Sequence, residues 1–175
     1  MIGILYDLCG ALGLKTIEIQ SVKVDDLNQY VLSRNTDFYI SQTSKYLKIK
    51  TIKNFKAFHL IRDPRDIVVS SYYSHRYTHF VKGWEELQQH RSELEQLDKD
   101  EGILRQITFA KQFIDNIGDW NYNDKDILEL KTEYATTHSV EALTAICKFL
   151  SLLDEDDERL SYFKMCMMVN KFTKR

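Results

Sequence analysis

The apolar positions of the chain predict helices and short strands in alternation. Apolar side chains spaced three and four residues apart predict helices, whereas short continuous apolar runs predict strands that are buried on both faces. The predicted helices cover residues 2–13, 24–34, 64–77, 84–97, 101–117, 140–153 and 158–171. The predicted strands cover residues 15–20, 38–41, 56–61 and 126–130. This alternation predicts an α/β fold with three layers, in which helices flank a parallel sheet.

The chain shows no sign of a boundary between domains. It contains no internal repeat and no low-complexity linker, and Pro64 is its single proline. A length of 175 residues suits one domain that buries a substantial core. We therefore expect a single domain over residues 1–175.

The first predicted helix, residues 2–13, is the one stretch that resembles a targeting signal. It lacks a basic leader, Asp7 interrupts it, and no small-residue cleavage site follows. It is also too short to span a bilayer. The interpretation we prefer is a buried helix that ends at Gly13.

Composition and charge exclude several classes of function. The formal net charge is −2, with 43% hydrophobic and 29% charged residues, which is typical of globular proteins and gives no general attraction for nucleic acids or anionic membranes. The three cysteines, Cys9, Cys147 and Cys166, form an odd set without metal-ligand spacing. They indicate reduced packing residues, so we expect a cytoplasmic protein without a metal. Function must then come from a local site.

The segment from Phe58 to His75 contains the candidate chemistry. Its apolar run ends at Ile61, after which Asp63 has the side chain of a helix cap and Pro64 suits the first helical turn. Arg62 is therefore predicted at the carboxyl end of a strand, beside a helix N-terminus. In open α/β sheets ligands bind at such places, and helix N-termini attract anions.

A second residue of this segment can join Arg62 at a phosphate. Asp66, Ser70 and Tyr73 follow one another at helical spacing and are predicted to share one face of the helix. The guanidinium of Arg62 and the hydroxyl of Ser70 can then donate to the same phosphate. An ordinary strand–helix junction, with Arg62 paired to Asp66, fits the spacing equally well.

A family resemblance decides between these alternatives. The run Arg-Asp-Pro-Arg-Asp-Ile-Val-Val-Ser-Ser-Tyr-Tyr, which begins at Arg62, is similar to the second donor-binding motif of sulfotransferases that use 3′-phosphoadenosine 5′-phosphosulfate. The resemblance extends over roughly residues 38–153. It implies the sulfotransferase fold, which is similar to that of P-loop nucleoside triphosphatases.

The resemblance also implies an activity and two binding residues. Arg62 and Ser70 would hold the 3′-phosphate of the donor, which is a co-substrate, and no metal is implied. The reaction would transfer a sulfuryl group to a hydroxyl or amine of a small-molecule or carbohydrate acceptor. Neither a nucleic acid nor a membrane is expected as a partner.

The chain departs from the family pattern in ways that put the activity in doubt. It contains neither the Lys-Ser-Gly-Thr-like loop that cradles the 5′-phosphosulfate nor the Gly-rich basic segment that closes over the nucleotide. Gln42 occupies the expected position of the general base, and an amide cannot accept a proton there. His75 is a candidate substitute base, with a structural histidine as the alternative. We therefore expect a truncated, partial sulfotransferase domain, or alternatively an inactive relic that binds a nucleotide or a partner.

Overall fold

The computed structural model describes residues 2–19, 24–41, 45–154 and 157–159. The helices within these residues are α1 (Ile2–Ala11), α2 (Leu27–Ser33), α3 (Tyr46–Ile49), α4 (Pro64–Tyr73), α5 (Glu85–Gln96), α6 (Lys99–Gly118), α7 (Thr132–Thr137) and α8 (Ser139–Phe149). The strands are β1 (Thr16–Glu18), β2 (Phe38–Ile40), β3 (Ala57–Ile61) and β4 (Ile127–Lys131). A π-helical turn, Ser74–Thr78, follows α4.

The chain forms two compact units. The sheet unit comprises residues 1–61 and 120–175, and the helical unit comprises residues 62–119. The expectation of a single domain over residues 1–175 stays a prediction. The predicted helix at residues 158–171 lies almost entirely outside the described residues.

The strands of the sheet unit pair in parallel, as the alternation of elements predicts. Strand β1 pairs with β2 from Thr16↔Phe38 onwards, and β3 pairs with β4 from Ala57↔Ile127 onwards. Among the described residues the pairs are separate two-stranded sheets. The prediction of strands buried on both faces was wrong in degree, because every residue of β3 is only half-buried. A strand with one neighbour keeps an open edge, which leaves part of its backbone accessible.

Both faces of the β3–β4 pair are covered by apolar side chains. Since successive strand residues point to opposite faces, Phe58 and Leu128 lie on one face and Ala57 and Ile127 on the other. The first face packs against a core from α1 and α8, formed by Leu5, Leu8, Leu143, Ile146 and Cys147. The second face packs against Ile49 and Trp120. Helices on a parallel sheet make this an α/β unit, as predicted.

The end of α1 also agrees with the sequence-based prediction. Gly13 has a φ of +68°, the left-handed conformation that glycine adopts without strain, and the Leu14 amide donates to the Cys9 carbonyl over 2.9 Å. Cys9 and Cys147 are buried packing residues of the core, whereas Cys166 lies outside the described residues.

The helical unit depends on a close approach between α4 and α6. A methyl group added at Gly102 of α6 would lie 2.6 Å from the Tyr72 ring of α4. Tyr72 is buried, and its hydroxyl accepts a hydrogen bond from Arg76 over 2.9 Å. The absence of a side chain at Gly102 therefore lets the two helices pack this closely.

Helix α4 ends earlier than the sequence predicts. The expected continuous helix to residue 77 becomes π-helical at Ser74, where the His79 amide donates to the Ser74 carbonyl over 2.7 Å. Arg91 of α5 holds this turn, since its guanidinium donates to the carbonyls of His75 and His79, each over 2.5 Å. Single π-helical turns occur often at functional sites.

Candidate functional site

The N-terminus of α4 is built as the sequence predicts. Asp63 is the cap residue, and its Oδ1 accepts a hydrogen bond from the Arg65 amide over 2.9 Å. Pro64 occupies the first turn, where no amide hydrogen is needed. The capped end fixes the start of the helix directly after Arg62.

The Asp63 carboxylate takes Arg65 as its partner. The Arg65 guanidinium lies 2.7 Å from Oδ2 through Nη2 and 3.1 Å from Oδ1 through Nε. These hydrogen bonds, with that from the Arg65 amide, lower the pKa of Asp63 to about 2. Asp63 and Arg65 therefore compensate each other's charge at neutral pH.

Arg62 keeps its guanidinium available. The residue is exposed, and within residues 62–119 no hydrogen bond or ion pair engages its side chain. The ion pair with Asp66, which the spacing alone allowed, is not formed in this unit. A cation therefore lies beside the helix N-terminus, where the helix dipole also favours an anion.

Ser70 lies on the exposed side of α4. Val68 and Tyr72 form the buried side, and a step of two residues along a helix turns through about 200°. Asp66, Ser70 and Tyr73 are all exposed, which confirms that these three residues share the outer face. Within residues 62–119 the Ser70 hydroxyl forms no hydrogen bond to another protein group. The convergence of Arg62 and Ser70 on one phosphate stays a prediction.

Of the two residues considered at the general-base position, the structure describes His75 but not Gln42. His75 is buried, and its Nδ1 lies 3.2 Å from the Oε1 of Gln106. Burial lowers the pKa of His75, although the hydrogen bond that His75 donates to Gln106 opposes this shift. This interior environment favours a structural histidine, and the role of substitute base gains no support from it. Gln42 lies outside the described residues.

Sequence reasoning missed the polar residues inside the helical unit. Gln106 of α6 and His90 of α5 are 0% and 1% exposed, and their side chains lie 2.7 Å apart. A signal was present, because Gln106 lies four residues from both Gly102 and Ala110 along the buried stripe of α6. A polar residue at such a position predicts an interior hydrogen bond.

Two further features are absent from the described part of the chain. It contains no group of three or more His, Cys, Asp or Glu side chains arranged to hold a metal ion. No helix there combines the length and apolar character that crossing a bilayer requires.

Comparison with known proteins gives one informative likeness. No protein-family model matches the chain, and no curated protein matches it. Among solved structures, the chain is similar to the mouse sulfotransferase SULT7A1, which was crystallised in complex with PAP. The likeness covers 99% of this chain and 62% of that one, with 15% sequence identity and a TM-score of 0.51. The chain therefore has the sulfotransferase fold and spans about 62% of the length of that relative.

Proposed function

We propose that Arg62 and Ser70 bind the 3′-phosphate of 3′-phosphoadenosine 5′-phosphosulfate, and that the protein is a sulfotransferase. The fold supports this proposal, as does the PAP complex of the mouse relative, since PAP is the nucleotide product of sulfuryl transfer from that donor. Acceptors would be hydroxyl or amine groups of small molecules or carbohydrates. A cytoplasmic location belongs to the same proposal.

The observation that supports the proposal most directly is the pattern of ion pairing at the start of α4. Asp63 engages Arg65 and leaves Arg62 without an ion pair in residues 62–119. A guanidinium presents two parallel donors to a phosphate, and the serine hydroxyl adds a third. Hydrogen bonds to charged groups contribute about 1.5–3 kcal/mol each, enough for selective binding of a dianion.

Sulfuryl transfer requires more than this one phosphate contact. The sulfuryl group passes between two oxygens, or from oxygen to nitrogen, while negative charge grows on the leaving phosphate. Donors around that phosphate stabilise the transition state, and each one contributes roughly 100–1000-fold in rate. Arg62 and Ser70 would anchor the opposite end of the nucleotide and so orient the donor for attack.

One motif that the 175 residues do not contain supports an alternative function. They contain no Lys-Ser-Gly-Thr-like segment that would cradle the 5′-phosphosulfate. A chain with the 3′-phosphate contacts alone would bind the nucleotide without transferring sulfate, as a nucleotide-binding or partner-binding module. The two functions share the binding site and differ in turnover.

Calorimetric titration with adenosine 3′,5′-bisphosphate tests the site. We expect the wild type to bind and Arg62→Ala to bind about 10–100-fold more weakly, because the variant loses a charge-assisted, bidentate contact. Lys111→Ala is the matched control: it removes the same charge from the helical unit, where Lys111 pairs with Asp115 over 2.7 Å. Absence of wild-type binding, or equal losses in the two variants, would contradict the proposal.

Transfer of radiolabelled sulfate from the donor separates the two functions. A protein that binds the nucleotide and forms labelled product across a panel of phenols, amines and sugars is a sulfotransferase. Binding without product identifies the nucleotide-binding module. Arg62→Ala should lower product formation at subsaturating donor in proportion to its loss of affinity.

A further inference from the structure

A buried polar network connects all the helical elements of the helical unit. The side-chain amide of Gln106 is fully buried, and its Oε1 lies 2.7 Å from His90 Nε2 and 3.2 Å from His75 Nδ1. Its Nε2 donates to the hydroxyl of Ser71 over 3.0 Å. One amide thus joins α4, the π-helical turn, α5 and α6, and it binds α4 at the residue next to Ser70.

The network fixes one hydrogen position on each histidine. An amide oxygen only accepts hydrogen bonds, so His90 Nε2 and His75 Nδ1 must each carry a hydrogen. In neutral His90 the other nitrogen, Nδ1, then carries none. That atom is buried and has no hydrogen-bond partner among the described residues, and Phe109 stacks on the ring at 3.9 Å. A proton added at Nδ1 would be buried without an acceptor.

The surrounding charges also oppose protonation. Burial lowers the pKa of both His75 and His90; the hydrogen bond to Gln106 opposes this shift, and nearby cationic groups lower the pKa values further. The groups that face the pair are His79, after the π-helical turn, Arg91 and Glu93 of α5, and Arg105 of α6. Glu93 favours a charged His90, but Arg105 engages its carboxylate at 2.6 Å. The closed network therefore requires a neutral His90.

We propose that Gln106 is a positioning residue for the anion site, and that protonation of His90 opens its network and loosens the part of α4 that carries Ser70. The proton has no acceptor in the closed unit, so it binds after the network opens. Histidine has an ordinary pKa of about 6.5, so the closed state is favoured above that pH and loses stability as the pH falls below it and His90 is protonated. Acid regulation of nucleotide binding rests on the proposed function, whereas opening of the network does not.

Hydrogen exchange of backbone amides tests the opening directly. Between about pH 7.5 and about pH 5.5 we expect protection in residues 68–79 to fall about tenfold after correction for the intrinsic exchange rate, since one pH unit below a pKa corresponds to a factor of ten. His90→Phe, which keeps the stacked ring and leaves His75 to donate to Gln106, should reduce this fall. His138→Gln removes an exposed histidine of the sheet unit and should not. An unchanged acid response in His90→Phe, or none in the wild type, would overturn the proposal.

A measurement on the wild type covers the case in which His90→Phe fails to fold. Long-range ¹H–¹⁵N spectra distinguish the two neutral tautomers of histidine. We expect His90 to be the neutral Nε2–H form at about pH 7.5. An Nδ1–H form or an imidazolium at that pH would contradict the network as described.

Calorimetry with adenosine 3′,5′-bisphosphate tests the regulatory part. Wild-type affinity should fall more between about pH 7.5 and about pH 5.5 than the affinity of His90→Phe. Protonation of the phosphate itself affects both proteins equally, so it does not contribute to this difference. Equal falls would overturn regulation of the site. Absence of wild-type binding at the higher pH would contradict the proposed function and leave the exchange experiment to decide on the network.

Discussion

At the scale of single residues, the choice of Arg65 over Arg62 as the partner of Asp63 determines what the site can bind. Arg65 follows the cap residue by two positions, so its amide and its guanidinium reach the same carboxylate. Arg62 precedes the cap and has no such contact. The sequence places Arg62 and Arg65 on either side of Asp63 and does not say which of them pairs with it, because that depends on the geometry of the turn.

The Asp63–Arg65 contact predicts a change in a measurable pKa. Arg65→Ala should raise the pKa of Asp63 from about 2 toward its ordinary value of 3.8, because the hydrogen bonds from Arg65 are the main cause of the shift. The contribution of this contact to stability is therefore complete above the ordinary value and is lost as the pH falls through about 2. Carboxyl-carbon NMR titration measures the shift. Arg62→Ala is the control, and a larger shift in Arg62→Ala than in Arg65→Ala would contradict the assignment.

The close contact at Gly102 predicts a loss of stability. Gly102→Ala should destabilise the protein by about 1–3 kcal/mol, because the new methyl group overlaps the buried Tyr72 ring. Gly118→Ala, at the end of the same helix, has no atom within 4 Å of the added methyl and should leave stability unchanged or slightly raised. Urea denaturation followed by circular dichroism compares them. Equal stabilities would show that α4 and α6 are not in close contact at Gly102.

The residues that sequence reasoning found are those with local causes. Asp63 and Pro64 predict a helix start because their roles, a cap and a residue of the first turn, depend on neighbours within a few positions. Gln106 and His90 were missed because the Gln106 contacts join residues 16 to 35 positions apart along the chain. A single sequence does not reveal such pairs, although burial at helical spacing indicates that a partner exists.

At the scale of elements, the helical register continues across the change in helix type. Val68, Tyr72 and His75 are buried at helical spacing, so the apolar pattern alone predicts one helix to residue 77. The π-helical turn adds a residue to one turn without moving His75 out of the interior. Periodicity does not detect this difference. Helices α3 and α7 were missed for another reason, because four and six residues are too few to show a period.

The π-helical turn predicts a role for Arg91. Arg91→Lys keeps the positive charge but removes the two-pronged contact with the carbonyls of His75 and His79, so amides in residues 74–79 should exchange faster. Arg105→Lys is the control, since Arg105 contacts the Glu93 side chain and no carbonyl of the turn. Hydrogen exchange measures both. Unchanged exchange in Arg91→Lys would show that the turn holds without the guanidinium.

At the scale of the whole molecule, the alternation of strands and helices predicted the α/β fold and the parallel pairing. It did not predict that the four described strands form two separate pairs, nor that residues 62–119 form a compact unit of their own. Strand order and unit boundaries depend on contacts between distant segments. The apolar runs at β3 and β4 each predict a strand, but neither run by itself predicts which strand it pairs with.

The expectation of one domain predicts one unfolding transition. A unit as small as residues 62–119 buries only about 60% of its unfolded surface and is marginal by itself, so we expect it to melt together with the sheet unit. Scanning calorimetry should give equal calorimetric and van't Hoff enthalpies. Gly102→Ala should then move the entire transition. A second transition that alone shifts in this variant would show two independently folding units.

The most direct test of the central claim asks whether Arg62 and Ser70 act on the same phosphate. A double-mutant cycle with Arg62→Ala and Ser70→Ala compares affinities for adenosine 3′,5′-bisphosphate and for adenosine 5′-phosphate, which lacks the 3′-phosphate. We predict that each single variant weakens the bisphosphate alone, and that the two losses are non-additive, with a coupling of about 0.5–3 kcal/mol. Additive losses, or equal losses for both nucleotides, would contradict the account.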